Sequence, residues 1–173
     1  MAVEKSRDEA NGSDEITLLR IPIVLDYDYS AGESASRFLR GIEQGKLLGQ
    51  RCPVDGRVYF PSRGSCPQHA VTFGDETVEL SDKGTIVTFS IVRVPSANIP
   101  LELPYIAINV VLDGADTILM HVLDAQPEDV HMGMRVEAVW RPREEWTTST
   151  ANILYFRPID EPDAEYDSYK EHI

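Results

Sequence analysis

The stretch PYIAINVVLDGADTILMHVL, residues 104–123, holds two apolar, β-branched runs joined through Asp113-Gly114. Asp-Gly between such runs is a strong short-range signal for a β-hairpin. A hairpin this apolar needs more strands to cover it, and the chain supplies them. TIVTFSIVRV (85–94) precedes it as a long strand, and MRVEAVWRP (134–142) and ANILYFRP (151–158) follow. PSANIPLELP (95–104) has three prolines and is excluded as a central strand. PEDVHMG (127–133) is expected to supply one short helical turn, with Pro127 at an early position. Five strands after residue 84, with that turn between the third and fourth, match the order of the Greek-key barrel called the OB-fold.

Upstream the pattern changes. Ala35, Phe38, Leu39 and Ile42 fall at i, i+3, i+4 and i+7, with Glu33 early and Gly45 at the end, so the spacing predicts a short amphipathic helix. Its apolar face is expected to pack on its own domain. IPIVLDYDY (21–29) reads as an extended arm against the body or a partner, and residues 1–15 as a disordered lead-in. ETVEL (76–80) leads into the barrel, and EPDAEYDSYKEHI (161–173) reads as an acidic extension, mobile or facing a partner. The expected division is a flexible arm at 1–29, a helix at 30–48, a zinc-ribbon-like module at 49–75, an OB-fold at 76–160 and an acidic tail at 161–173.

Between helix and barrel stand the only two cysteines, as Cys52-x2-Asp55 and Cys66-x2-His69. A structural zinc ion takes four N, S or O donors in a tetrahedron, and two turns of the form donor-x2-donor fold their ends onto one centre. Cys52, Asp55, Cys66 and His69 are all competent donors. Two readings stay open: a variant metal site, or a knuckle pair without an ion, held by packing of Tyr59 and Phe60. Asp55-Gly56 also makes a good turn with no metal present. Catalysis by Cys66 with His69 as base is the weaker alternative, because the ribbon already accounts for both positions. No phosphate-cradling loop, dinucleotide glycine pattern or hydrolase nucleophile motif is present. His121, inside a strand, reads as a packed, barrel-facing residue, and His131 and His172 as surface positions. Trp140, Trp146, Tyr155 and Phe156 read as core and interface packing.

Sixteen Lys plus Arg against twenty-nine Asp plus Glu give a net charge of −13, which opposes contact with phosphate backbones and speaks against nucleic acid as partner. No apolar run approaches the ~20 residues of a membrane span, and MAVEKSRDEANGSDE lacks a signal-peptide core, so a cytoplasmic protein without membrane contact is expected.

The ordered set FLRGIEQGKLLGQRCPVDGRVYFPSRGSCP, GTIVTFSIVRVP, PYIAINVVLDGA and GMRVEAVWRP resembles a family of small proteins long catalogued as a domain of unknown function. They combine an N-terminal helix, a rubredoxin-like zinc ribbon and a C-terminal five-stranded OB-fold barrel, a mainly β architecture, and the resemblance covers roughly residues 30 to 160. It implies a non-catalytic accessory subunit of a thiolase-superfamily enzyme, of the lipid-transfer-protein type of thiolase or aldolase. The partner would carry the catalytic residues, in a hetero-oligomer handling acyl-CoA from sterol or lipid side chains. It also implies zinc ligands at Cys52 and Cys66, while Asp55 and His69 depart from the family pattern and enter on donor chemistry alone. Two rivals remain: an OB-fold binder of single-stranded nucleic acid, and a stand-alone acyl-CoA-binding or acyl-transfer protein. The loop PSANIPLELP is where contact with the partner or the CoA-linked chain is expected.

Overall fold

A computed structural model describes residues 21, 25, 27–95 and 99–173. The chain divides into two units, Met1–Ser30 and Ala31–Ile173. In the first, the few described residues carry no helix or strand. The disordered lead-in lies outside the described residues, as do 22–24 and 26 of the expected arm and 96–98 of the proline-rich loop.

The second unit begins with helix α1, Gly32–Glu43. The expected face is the buried one: Phe38 is 5% and Ile42 1% exposed, with Leu39 packed beside them. The helix stops where Gly45, at φ +74°, donates its N–H to the carbonyl of Ile42 at 3.1 Å. A left-handed residue just past the last turn satisfies an end carbonyl that has no partner within the helix.

Strand β1, Leu47–Arg51, then pairs antiparallel with both β2, Val58–Tyr59, and β3, Val78–Leu80. The ETVEL segment therefore joins this three-stranded sheet instead of the barrel.

The barrel is made of β4, Lys83–Val92; β5, Tyr105–Leu112; β6, Ile118–Leu123; β7, Arg135–Trp140; and β8, Ile153–Pro158. They close in the order β4-β5-β6-β8-β7, with β7 returning to β4 and β6 meeting β8 in parallel. Strict alternation on β5 sends Ile106, Ile108, Val110 and Leu112 inward, each at most 2% exposed, against Ile86, Val136 and Phe156. A bulge between Ile86 and Thr88 buries Ile86 and Val87 consecutively. The mainly β architecture with an N-terminal helix and a closed five-stranded OB-like barrel is thus the one the strand pattern predicts.

Two further features differ from the sequence expectation. Residues 127–133 form turns and no helix: Asp129 donates to Gln126 at 3.0 Å, and Gly133, at φ +89°, ends the run before a helical ladder builds. Residues 161–173 do not trail away from the body. Glu161 bridges Lys83 and Arg135, His131 meets Asp163 at 2.9 Å, and Ala164 donates its N–H to the carbonyl of Gly133. Helix α2, Tyr166–Tyr169, then buries Tyr169 to 7% exposure. The acidic composition suggested solvation, but the cations that receive this segment lie on β4 and β7, remote in sequence.

The hairpin at Asp113-Gly114 forms, with β5 and β6 in register from Ile106↔Leu123 to Val111↔Ile118. Its connection, 113–117, exceeds the tightest turn, and the extra residues dock the small sheet. Asp116 accepts from Val58 N–H at 2.7 Å and donates its own N–H to the Val58 carbonyl; Thr117 Oγ1 accepts from Phe60 N–H and donates to the Phe60 carbonyl. Edge groups of β2 that would otherwise lack partners are satisfied in this way.

Candidate metal centre

The two knuckles repeat one backbone design. Cys52 N–H donates to the Arg57 carbonyl and Gly56 N–H to the Cys52 carbonyl; Cys66 N–H donates to the Val71 carbonyl and Ala70 N–H to the Cys66 carbonyl, all between 2.8 and 3.0 Å. Each turn closes through a left-handed residue, Gly56 at φ +78° and Ala70 at φ +53°. Gly56 suits that conformation, whereas Ala70 holds it at a steric cost of about 1 kcal/mol. The design points both first-position thiols inward, and each is 1% exposed.

His69 reaches back over them. Its Nδ1 lies 3.6 Å from Cys52 Sγ and 3.4 Å from Cys66 Sγ, and the three donor atoms lie within 4.8 Å of one another. With Zn–S near 2.3 Å and Zn–N near 2.0–2.1 Å, sulfur and nitrogen on a tetrahedral ion sit about 3.5 Å apart. Cys52, Cys66 and His69 therefore fit a metal ion, with His69 offering Nδ1. Asp55 stands beside them, its Oδ2 3.8 Å from His69 Nδ1, while its Oδ1 accepts from Arg57 N–H at 3.1 Å.

The electrostatics distinguish the two thiols. Burial alone raises the Cys66 thiol, but the Tyr59 hydroxyl, the His69 backbone N–H and the His69 ring outweigh it and bring the group down to about 6. Cys52, where burial dominates, is pushed up. Burial also opposes ionisation of Asp55, yet donation from Cys52 and from Arg57 N–H holds its carboxyl below the usual range. Tyr59, whose hydroxyl lies 3.4 Å from Cys66 Sγ, is pushed up to about 12 by that hydrogen bond and by burial.

Sequence reasoning assigned Tyr59 and Phe60 together to the packing of the hairpins. The two diverge. Tyr59 joins Cys52, Cys66 and Phe73 in a separate apolar cluster, while Phe60 enters the main core edge-on to Phe38 at 5.4 Å. The period-2 alternation of VYF is the signal that separates them. Gln50 also went unremarked. It is 2% exposed, donates to the Gly74 carbonyl at 2.8 Å, accepts from Ser62, and so ties β1 to the segments flanking the second knuckle.

Outside this centre, His121 faces the barrel interior edge-on to Phe156, with Nδ1 lacking a partner among the described residues and burial lowering its pKa. Trp140 and Trp146 pack together at 5.4 Å, with Trp140 against the main core.

Comparison with known proteins identifies the family and the fold. The family model for the ChsH2 C-terminal OB-fold domain matches residues 77–141. A DUF35 domain-containing scaffold protein of Methanocaldococcus jannaschii is 39% identical over 66% of this chain and 82% of its own length. One from Pyrococcus furiosus is 34% identical over 72% of this chain and 92% of its own. This chain belongs to the DUF35 domain family. Among solved structures, the Ltp2-ChsH2(DUF35) aldolase aligns with a TM-score of 0.56 at 23% identity, covering 76% of this chain and 98% of that one. A DUF35-family protein of unknown function from Sulfolobus solfataricus aligns with a TM-score of 0.55 at 18% identity, over 73% and 84%. Those two show the shared fold. Among the described residues, no helix is long and apolar enough to cross a membrane.

Proposed function

We propose that this protein is a non-catalytic accessory subunit that binds a thiolase-like enzyme, of the lipid-transfer-protein type of thiolase or aldolase, and supports its handling of acyl-CoA in sterol or lipid side-chain breakdown. The observation that carries the reading is the relationship to scaffold proteins along 82% and 92% of their own lengths. The aldolase structure whose DUF35 chain shares this fold agrees with it and suggests the kind of partner. The catalytic cysteine and its bases then belong to the partner. The chemistry of the knuckles is consistent with this division, since both thiols are buried and ringed by hydrogen bonds that fix them.

Cys52, Cys66 and His69 would hold a zinc ion, with the neighbouring Asp55 carboxylate as the candidate fourth donor. The ion supplies a structural cross-link between the two hairpins. The chain's own part is to present both sulfurs and Nδ1 from turns already closed by backbone hydrogen bonds.

The test is co-expression of the full chain with each thiolase-superfamily enzyme of its source genome, followed by native mass measurement. A stoichiometric complex, two copies of each chain, is expected, with acyl-CoA turnover in the complex and none in the isolated chain. Turnover by the isolated chain that survives Cys52→Ser with Cys66→Ser would overturn the reading. Elemental analysis should find about one zinc per chain, lost in that double variant.

A further inference from the structure

The outer face of β4, β5 and β6 is built unlike the rest of the surface. Lys83, at the start of β4, is the only Asp, Glu, Lys or Arg in the three strands. With Ile106, Ile108 and Val110 turned inward, the register puts Thr88, Asn109 and Met120 in one outward row and Ser90, Ala107 and Val122 in the next. Met120 is 73% and Ile118 40% exposed. A solvated antiparallel sheet alternates apolar-in with polar and charged out; a sheet without charge on either side is one whose second side is covered.

Two further observations point the same way. Asn109 Nδ2 donates to Thr88 Oγ1 at 2.7 Å, while its Oδ1 is buried with no partner among the described residues. A buried acceptor in this position wants a donor, and the row opens into a recess between Thr88, Asn109 and Met120. Past Val122 the surface continues into a cleft of about 270 Å³ lined by Leu101, Tyr105, Val122 and Leu154. Exposed Asp116 borders one end of the face, and exposed Glu102 and Asp124 the other, where Arg93 follows β4.

We propose that this face is the docking surface for the thiolase-like partner, a proposal that rests on the function proposed above. The complementary surface on the partner is apolar, presents an N–H or O–H donor to Asn109 Oδ1, and carries cations opposite Asp116 and Asp124. Charge selects a different protein over a second copy: two chains of −13 each repel on approach, whereas a partner with a basic rim is attracted.

The test uses the full chain and the co-expressed enzyme that forms the complex, with affinity measured by titration calorimetry. Met120→Asp places a charge at the centre of the face on a side chain that is already largely exposed, so the thermal midpoint of the isolated chain should be unchanged. Affinity should fall at least about tenfold. Val54→Asp, on a knuckle residue 59% exposed, serves as the contrast and should bind as the parent does. Unchanged affinity in Met120→Asp, or loss confined to Val54→Asp, overturns the assignment of this face while leaving the accessory role intact. Sedimentation of the isolated chain as a dimer that Met120→Asp splits assigns the face to a second copy and overturns the proposal. Absence of a complex with the unsubstituted chain removes the accessory role itself, and this inference with it.

Discussion

Asn152 Nδ2 donates to the carbonyl of Ile42 at 3.1 Å, joining the last turn of α1 to the segment that begins β8 across 110 residues of sequence. The same amide donates to the Thr147 carbonyl at 2.7 Å, and its Oδ1 accepts from Thr147 N–H at 3.0 Å. At 1% exposure the side chain is fully committed: it holds helix and barrel together and shapes the β7–β8 loop.

Asn152→Ala leaves both Thr147 groups without their partner, and the Ile42 carbonyl with Gly45 N–H alone, in a site that excludes water. A loss of ~1–3 kcal/mol is expected in chemical denaturation. Asn152→Asp keeps the acceptor but loses both donations and buries a charge, so it should cost more than the alanine. An alanine variant as stable as the parent would show that the helix is held by Phe38 and Ile42 alone.

Gly45 lies against the same loop. A Cβ there would come within 2.6 Å of two ring carbons of Trp146, and the backbone sits at φ +74°. Trp146 is itself fixed, its Nε1 donating to the Arg141 carbonyl at 2.8 Å. Gly45→Ala therefore combines left-handed strain with a steric clash, and the thermal midpoint should fall by the equivalent of ~1–3 kcal/mol. Gly56→Ala is the control: it carries the same φ penalty with open space around the new Cβ, and should cost less.

Tyr59 is the donor that holds the Cys66 thiolate. In the metal-free protein, the thiolate ultraviolet absorbance of Cys66, isolated by Cys52→Ser, should titrate below the usual thiol range, and Tyr59→Phe should move that midpoint upward. If it does not move, the His69 ring and backbone N–H sustain the thiolate without the phenol.

The barrel was legible because its signals are local. Asp113-Gly114, the alternation of YIAINVVL and the spacing of Phe38 and Ile42 each report on a structure formed by their own neighbours. The knuckle spacing was legible for the same reason: two residues separate the members of each pair, and Cys52, Cys66 and His69 do converge, with Asp55 beside them. What stayed hidden depends on contacts remote in sequence. Nothing in ETVEL says that β1 lies nearer than β4. Nothing in EPDAEYDSYKEHI announces that Arg135 and Lys83 will receive Glu161, or that Gly133 leaves room for Tyr169. Tyr59 looked like one of two equivalent aromatics; the alternation of VYF put them on opposite faces, and the order of the strands decided which face met a sulfur.

That docking of residues 161–173 depends on pH in two opposite senses. The His131 ring sits between the Asp129 carbonyl at 2.8 Å and Asp163 at 2.9 Å. The carbonyl first, then the carboxylate, favour the protonated imidazole and raise its pKa. This contribution to stability is complete below the unfolded value of about 6.5 and fades as pH rises through the folded one. Glu161 behaves inversely: Lys83 first, then Arg135, hold its carboxyl low, so its contribution is present above about 4.3 and fades as pH falls through the folded value. Between those limits both contacts hold. Thermal midpoints across this range should show His131→Gln losing most near about pH 5.5 and little near about pH 8, whereas Glu161→Gln should lose most at neutral pH and converge on the parent in acid. A His131→Gln deficit that is the same at both pH values would mean that this contact acts through its neutral hydrogen bonds and not through the imidazolium.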